Sequence, residues 1–190
     1  MKTLPSLEER LSALPEKFVS ESFLKGTGIS NEDNIYIFAY DAENEMQVQA
    51  SIETWQGWAK AENVYFCNLY EEYLNLCKAN DILGGIIELE ASDGSVNILD
   101  QLQESITMED FAKYLAKGFE DSKKKIFLIH GVGDVFPFAR VHSLLNALPI
   151  GIEKKAPIIV FYPGLYNGHE LRLFNQLERN GYYRAFSILE

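Results

Sequence analysis

Two rhythms of hydrophobic positions run along this chain. Near the start, Leu7, Leu11, Leu14 and Phe18 recur at helical spacing behind Ser6 and Glu9, the two ends of a capping box. Pro15 falls inside that pattern and predicts an end or kink there, hence a helical hairpin and not one rod. Short β-branched runs then alternate with helical stripes. Ile35 to Tyr40, Val64 to Leu69, Lys125 to His130, Pro157 to Tyr162 and Arg184 to Leu189 read as five strands. Between them lie helices with inward stripes Val48, Ile52, Trp55 and Ala59; Tyr70 to Ala79; Met108, Phe111, Leu115 and Phe119 behind a Thr107 cap; and Val141, Leu144, Leu145 and Leu148. The last of these is expected to begin at an Asp134 cap, with Pro137 in its first turn.

Strands that are apolar throughout, joined by connections long enough to hold a helix, imply a mostly parallel five-stranded sheet. The fold class is α/β, with helices on both faces in a Rossmann-like or RecA-like order. Residues 1–30 form a helical N-terminal extension and 80–105, punctuated by Gly84-Gly85 and Asp93-Gly94, a surface insertion of short helices. One domain over 1–190 is expected from a chain of 190 residues that is 47% hydrophobic.

In such sheets the ends of the strands carry binding groups. Two glycine-bearing turns follow the third and fourth strands, Gly131-Val-Gly133 and Pro163-Gly164 through Gly168. The first resembles a phosphate loop, since a glycine turn feeding a helix start presents free N–H groups to an anion. The lysine of a P-loop is absent and Phe136 stands where the dinucleotide fingerprint needs its last glycine, so no nucleotide cofactor is expected. Asp41, at the end of the first strand, resembles a magnesium-holding acid but reads as a helix cap. His130 reads as a neutral, hydrogen-bonded histidine positioning the Gly131 turn.

The remaining polar residues make no catalytic set. Ser143 lies within a helix, neither Cys67 nor Cys77 has zinc-type spacing, and His130, His142 and His169 are scattered. No catalytic residue and no metal site are expected, and the chain is not read as an enzyme. The candidate binding crevice is His130, Gly131, Gly133, Asp134 and Arg140 from one turn, with Pro163, Gly164, Tyr166, Asn167, Gly168 and Arg172 from the other. Tyr183 and Arg184 complete it, because arginine and tyrosine supply planar, hydrogen-bonding anchors.

The strings His130-Gly-Val-Gly-Asp-Val-Phe-Pro-Phe-Ala-Arg-Val-His-Ser-Leu-Leu-Asn146, Ile159 to Gly168, Leu171-Arg-Leu-Phe174 and Tyr182-Tyr-Arg-Ala-Phe186 resemble the BrxB-like family, as does Ile35 to Asp41. That family is a domain of unknown function found in bacteriophage-exclusion (BREX) operons. The resemblance implies a defence role and an operon shared with a DNA adenine methyltransferase, a large ATPase and a phosphatase-like protein of the PglZ type. It favours Arg140 and the Pro163 to Gly168 turn as functional positions. Asn167 departs from the family pattern, where aspartate is commoner, so the turn lacks the charge a metal role would use.

Charge narrows the partners. The net charge is −11, but residues 1–122 hold 8 Lys plus Arg against 23 Asp plus Glu, and residues 123–190 hold 9 against 5. A nucleic-acid binder gains affinity from neutralising phosphates, and the only basic clusters are Lys123-Lys-Lys125 and Lys154-Lys155. Direct nucleic-acid binding is disfavoured, and a partner protein with a basic face fits better. The partner expected is another BREX component, the PglZ-like protein first. No apolar run approaches about eighteen residues and the N-terminus lacks a signal-peptide core, so no membrane contact and a cytoplasmic location are expected. The competing expectation is a degenerate nucleotide- or nucleic-acid-binding factor that uses the strand ends.

Overall fold

The computed structural model describes residues 5–25, 34–148, 152, 156–181 and 185–189. Helix α1 (Leu7–Val19) opens on the capping box: Ser6 Oγ accepts from Glu9 N at 3.2 Å, and Glu9 Oε2 accepts from Ser6 N at 2.7 Å. Pro15 does not end it. The helix continues to Val19 with Pro15 buried, and the chain breaks at Ser20, whose hydroxyl caps the single turn α2 (Glu21–Leu24). The missing N–H of Pro15 costs one helical bond, and the packing of Leu11, Leu14 and Phe18 outweighs it.

Strand β1 (Ile35–Tyr40) leads through a 3₁₀ turn into α3 (Glu45–Gln56). Val48, Ile52 and Trp55 point inward as the stripe predicts; Ala59 lies beyond the helix and is exposed. Strand β2 (Val64–Asn68) passes directly into α4 (Leu69–Ala79), where Asn68 Oδ1 accepts from the N–H groups of Tyr70 and Glu71. Residues 80–105 form α5 (Leu83–Asp93) and α6 (Ile98–Ser105), which pack against each other, with α5 also against α4. Thr107 caps α7 (Met108–Ser122) through Asp110 N at 3.1 Å.

Strand β3 (Ile126–His130) is followed by a single turn, α8 (Val132–Val135), and only then by α9 (Val141–Ala147). The expected helix start is therefore wrong. Asp134 lies inside α8, and Pro137 follows a cis peptide bond in a non-helical stretch. The cause is local: a residue before proline is driven out of the helical region, and Phe136 sits at φ −70, ψ 135.

Strand β4 (Ile158–Tyr166) turns at 167–169 into the antiparallel β5 (Glu170–Leu173), which pairs with β6 (Asn180–Gly181); β7 (Phe186–Ser187) ends the sheet. The parallel sheet runs β2-β3-β4-β1-β7. Counting only these five strands in chain order gives 2-3-4-1-5, which is not the 3-2-1-4-5 of the dinucleotide-binding fold and leaves the RecA-like alternative. The α/β class, the mostly parallel sheet and the N-terminal helix stand as expected.

Strands β1 to β4 feed two cores. On one face Phe38, Leu128, Ile159 and Phe161 pack with α1, α2 and α3; on the other, Ile37, Phe127, Ile129 and Val160 pack with α4 to α9. In β3 all five residues are buried, as a central strand covered on both faces must be. No helix among the described residues is long and apolar enough to cross a membrane.

Candidate functional site

The C-terminal ends of β1, β3 and β4 meet where the strand order reverses, the place where open α/β sheets bind ligands. The sequence brings its glycines here, but the chain fills the crevice itself. Pro163 and Gly164 do not form a turn: they continue β4, and Gly164 pairs with Leu173 of the returning β5. A Cβ on Gly164 would lie 2.2 Å from the Arg172 carbonyl oxygen, so only glycine lets β5 cross there. Proline is tolerated in the strand because it needs only its carbonyl, which accepts from Phe174 N at 2.8 Å.

Phe174 and Asn175 follow at φ 55 and 59, left-handed conformations that are uncommon for a bulky side chain. They seat the plug. The Phe174 ring lies against Gly133, where a Cβ would be 3.1 Å away, and meets Phe136 edge-on at 6.2 Å. Gly131, at φ 71, has the Asn68 side chain 2.5 Å from its would-be Cβ. These glycines are there for backbone approach and packing.

Beneath the plug runs a polar chain with consistent hydrogen-bond polarity. His130 Nδ1 lies 3.2 Å from Gln49 Oε1, Gln49 Nε2 donates to Glu45 Oε1 at 2.7 Å, and the Tyr40 hydroxyl donates to Glu45 Oε2 at 2.7 Å. Gln49 Nε2 being the donor to Glu45, its oxygen faces the imidazole, which must carry the proton on Nδ1. Burial holds His130 neutral by lowering its pKa to about 4. Burial first, then the Glu45 and Asp134 carboxylates, push the Tyr40 hydroxyl well above its ordinary value. The sequence reading of His130 as a neutral histidine agrees with this; Tyr40, Glu45 and Gln49 were missed. Glu45 and Gln49 are an i, i+4 pair facing the end of β3, a signal visible only once helix and strand are docked.

Asp41 is not a helix cap. It precedes the 3₁₀ turn but makes no capping bond; its Oδ1 accepts from Asn175 Nδ2 at 2.9 Å, tying the plug to the end of β1. Asn167 Oδ1 accepts from His169 N and Glu170 N, which closes the hairpin on its own backbone, and Gly168 supplies the φ of 87 that the turn requires. Tyr166 donates to the Ala185 carbonyl. Arg172 is on β5, and its Nε donates to Leu177 O at 3.2 Å. Asp134 is exposed, and Tyr183 and Arg184 lie outside the described residues.

A cavity of about 290 Å³ remains beside the plug. Its apolar walls come from Val132, Phe136, Leu171 and Leu173, with exposed Arg140 and half-buried His142 also lining it. Burial, then the Arg140 charge, lowers the His142 pKa. Of the two glycine-rich segments, then, only the first contributes a cationic side chain, Arg140, to this cavity. No group of three or more His, Cys, Asp or Glu able to hold a metal is present among the described residues. Cys67 and Cys77 are free and buried, and burial raises both thiols, Cys67 most, which leaves them unreactive.

The kinship of the chain reaches well beyond the strand ends. The profile of the family described as BREX protein BrxB matches residues 65–188. The chain belongs to the BrxB family. A BrxB protein from Bacillus cereus (strain H3081.97) is 31% identical over 189 residues, covering 97% of this chain and 98% of the relative. Another, from Escherichia coli O9:H4 (strain HS), is 26% identical over 186 residues, covering 97% and 92%. No solved structure matches. The full-length likeness to BrxB proteins makes this chain a component of a BREX system, with a role in phage exclusion.

Proposed function

We propose that this BrxB-family chain is a non-catalytic docking subunit of its BREX system, and that it binds the PglZ-like protein through its acidic helices. The observation that carries the reading is the self-filled crevice. Where an α/β enzyme would hold a phosphate against glycine N–H groups, Gly131, Gly133 and Gly164 are each backed by Asn68, Phe174 or Arg172 of the same chain. The acidic surplus of residues 1–122 supplies an alternative basis for association, since a field of one sign steers a partner of the other.

Affinity purification of the tagged chain from its own operon tests this. The PglZ-like protein should co-elute, and less of it as salt rises, because exposed charges are screened over about 8 Å at physiological ionic strength and about 3 Å at 1 M. Absence of that protein among the co-eluting chains overturns the partner assignment. The second reading, a degenerate nucleotide-binding factor, draws on Arg140 at the remaining cavity. A melting temperature raised by ATP and Mg²⁺ would favour it, since a ligand bound only by the native state stabilises that state.

A further inference from the structure

Helices α4, α5 and α6, together with the Pro137-Phe138 segment, enclose a groove of about 420 Å³ on the sheet face opposite α1 and α3. Its lining is dominated by aliphatic and aromatic side chains, among them Leu74, Ile86, Ile98 and Leu102. Two large lining side chains stay in solvent, Ile87 at 58% exposure and Tyr70 at 38%. A third, Tyr73, is 1% exposed, stacks on Phe138 and has a hydroxyl buried with no hydrogen-bond partner. Tyr73 thus belongs to the closed floor of the groove, and Ile87 and Tyr70 form its open apolar surface.

Its charge says what could cover it. Glu90 lines the groove, and Glu71, Asp81, Glu88, Asp100 and Glu104 are exposed on the same three helices and their junctions. Lys78 is the single basic residue in 69–105. We infer that this groove docks an amphipathic helix of a partner protein, with aliphatic side chains at helical spacing in the groove and lysine or arginine along its flanks. Aliphatic anchors entering a groove between helices are a recurring recognition mode. A second copy of the chain would bring the same acidic rim against this one, and nucleic acid or an anionic bilayer would be repelled by it. The inference rests on the docking-subunit reading for its partner being a protein, and it adds where the contact is and what chemistry enters it.

A labelled peptide of about 18 residues, long enough to form a helix, with leucine at i, i+3, i+4 and i+7 and lysine elsewhere, serves as the probe. Fluorescence anisotropy against the full chain should show binding, weakened at least about tenfold by Ile87→Glu and clearly by Glu90→Lys. Glu53→Lys, at an exposed position of α3 across the sheet, changes the net charge equally and should leave binding as it was. A counterpart peptide with glutamate in place of lysine should not bind. Failure of the lysine peptide to bind the unaltered chain overturns the inference, as does equal binding by a folded Ile87→Glu variant. Equal weakening by Glu53→Lys and Glu90→Lys would reduce the contact to general attraction and overturn it as well. Because the probe is independent of any BREX protein, it can fail while the PglZ-like protein still co-elutes, or succeed when that protein does not.

Discussion

The crevice at the strand ends and the groove between α4, α5 and α6 invert one another. The crevice has glycines, a histidine and an arginine, yet Gly131, Gly133 and Gly164 are crowded by the chain's own Asn68, Phe174 and Arg172. The groove has no motif, and Gly84 and Gly85 of α5 beside it have nothing within 4 Å of a would-be Cβ. One region has used its special residues to close on itself, and the other remains open. A glycine-rich string at a strand end is thus evidence of close approach, and what approaches can be the protein itself.

Glycine-to-alanine substitutions should separate the two regions. The largest effect is expected from Gly164→Ala, whose methyl meets a carbonyl oxygen that is part of a paired strand; the loss should be at least about 3 kcal/mol, lowering the melting temperature by roughly 10 °C. A variant that melts with the unaltered chain would mean the crevice is not closed as described. Next comes acid. His130 is neutral in the fold with its pKa lowered to about 4, against an unfolded value near 6.5. The stability it confers is complete above about pH 6.5 and is lost as pH falls toward 4, a loss of about 3 kcal/mol. Denaturant titrations across that range should be shallower in pH for His130→Gln than for the unaltered chain, and equal slopes would remove His130 from the polar chain.

Gly131→Ala should cost about 2 kcal/mol, from the left-handed backbone and from displacing the Asn68 cap of α4. Its unfolding midpoint in urea reads this directly. Smallest, and opposite in sign, is Gly85→Ala in α5: with open space around it, alanine should stabilise by about 0.5–1 kcal/mol through helix propensity alone. A destabilised Gly85→Ala variant would show that α5 is crowded after all and would blur the contrast.

The parallel strands were legible because a strand covered on both faces must be apolar throughout, as β3 and the first half of β4 are. The Ser6 and Thr107 caps were legible because they are local hydrogen-bond chemistry. What misled was punctuation. Pro163-Gly164 carries the residues of a turn and is a strand, because the need for glycine there comes from Arg172, brought in by pairing and not by local sequence. Pro137 has the look of a helix's first turn, but its effect on Phe136 breaks that helix. Asp41 has the right residue type and position for a cap, but Asn175, far along the chain, takes its carboxylate. The groove had no legible signal, since the open apolar faces of Ile87 and Tyr70 come together only when the helices around them are docked.

The claim that this BrxB-family chain works by docking is tested most directly by size-exclusion chromatography of the purified chain mixed with the PglZ-like protein of its operon. The account predicts co-elution at physiological salt, lost near 1 M salt, where the screening length falls to about 3 Å. Separate elution of the two folded proteins at physiological salt would contradict it.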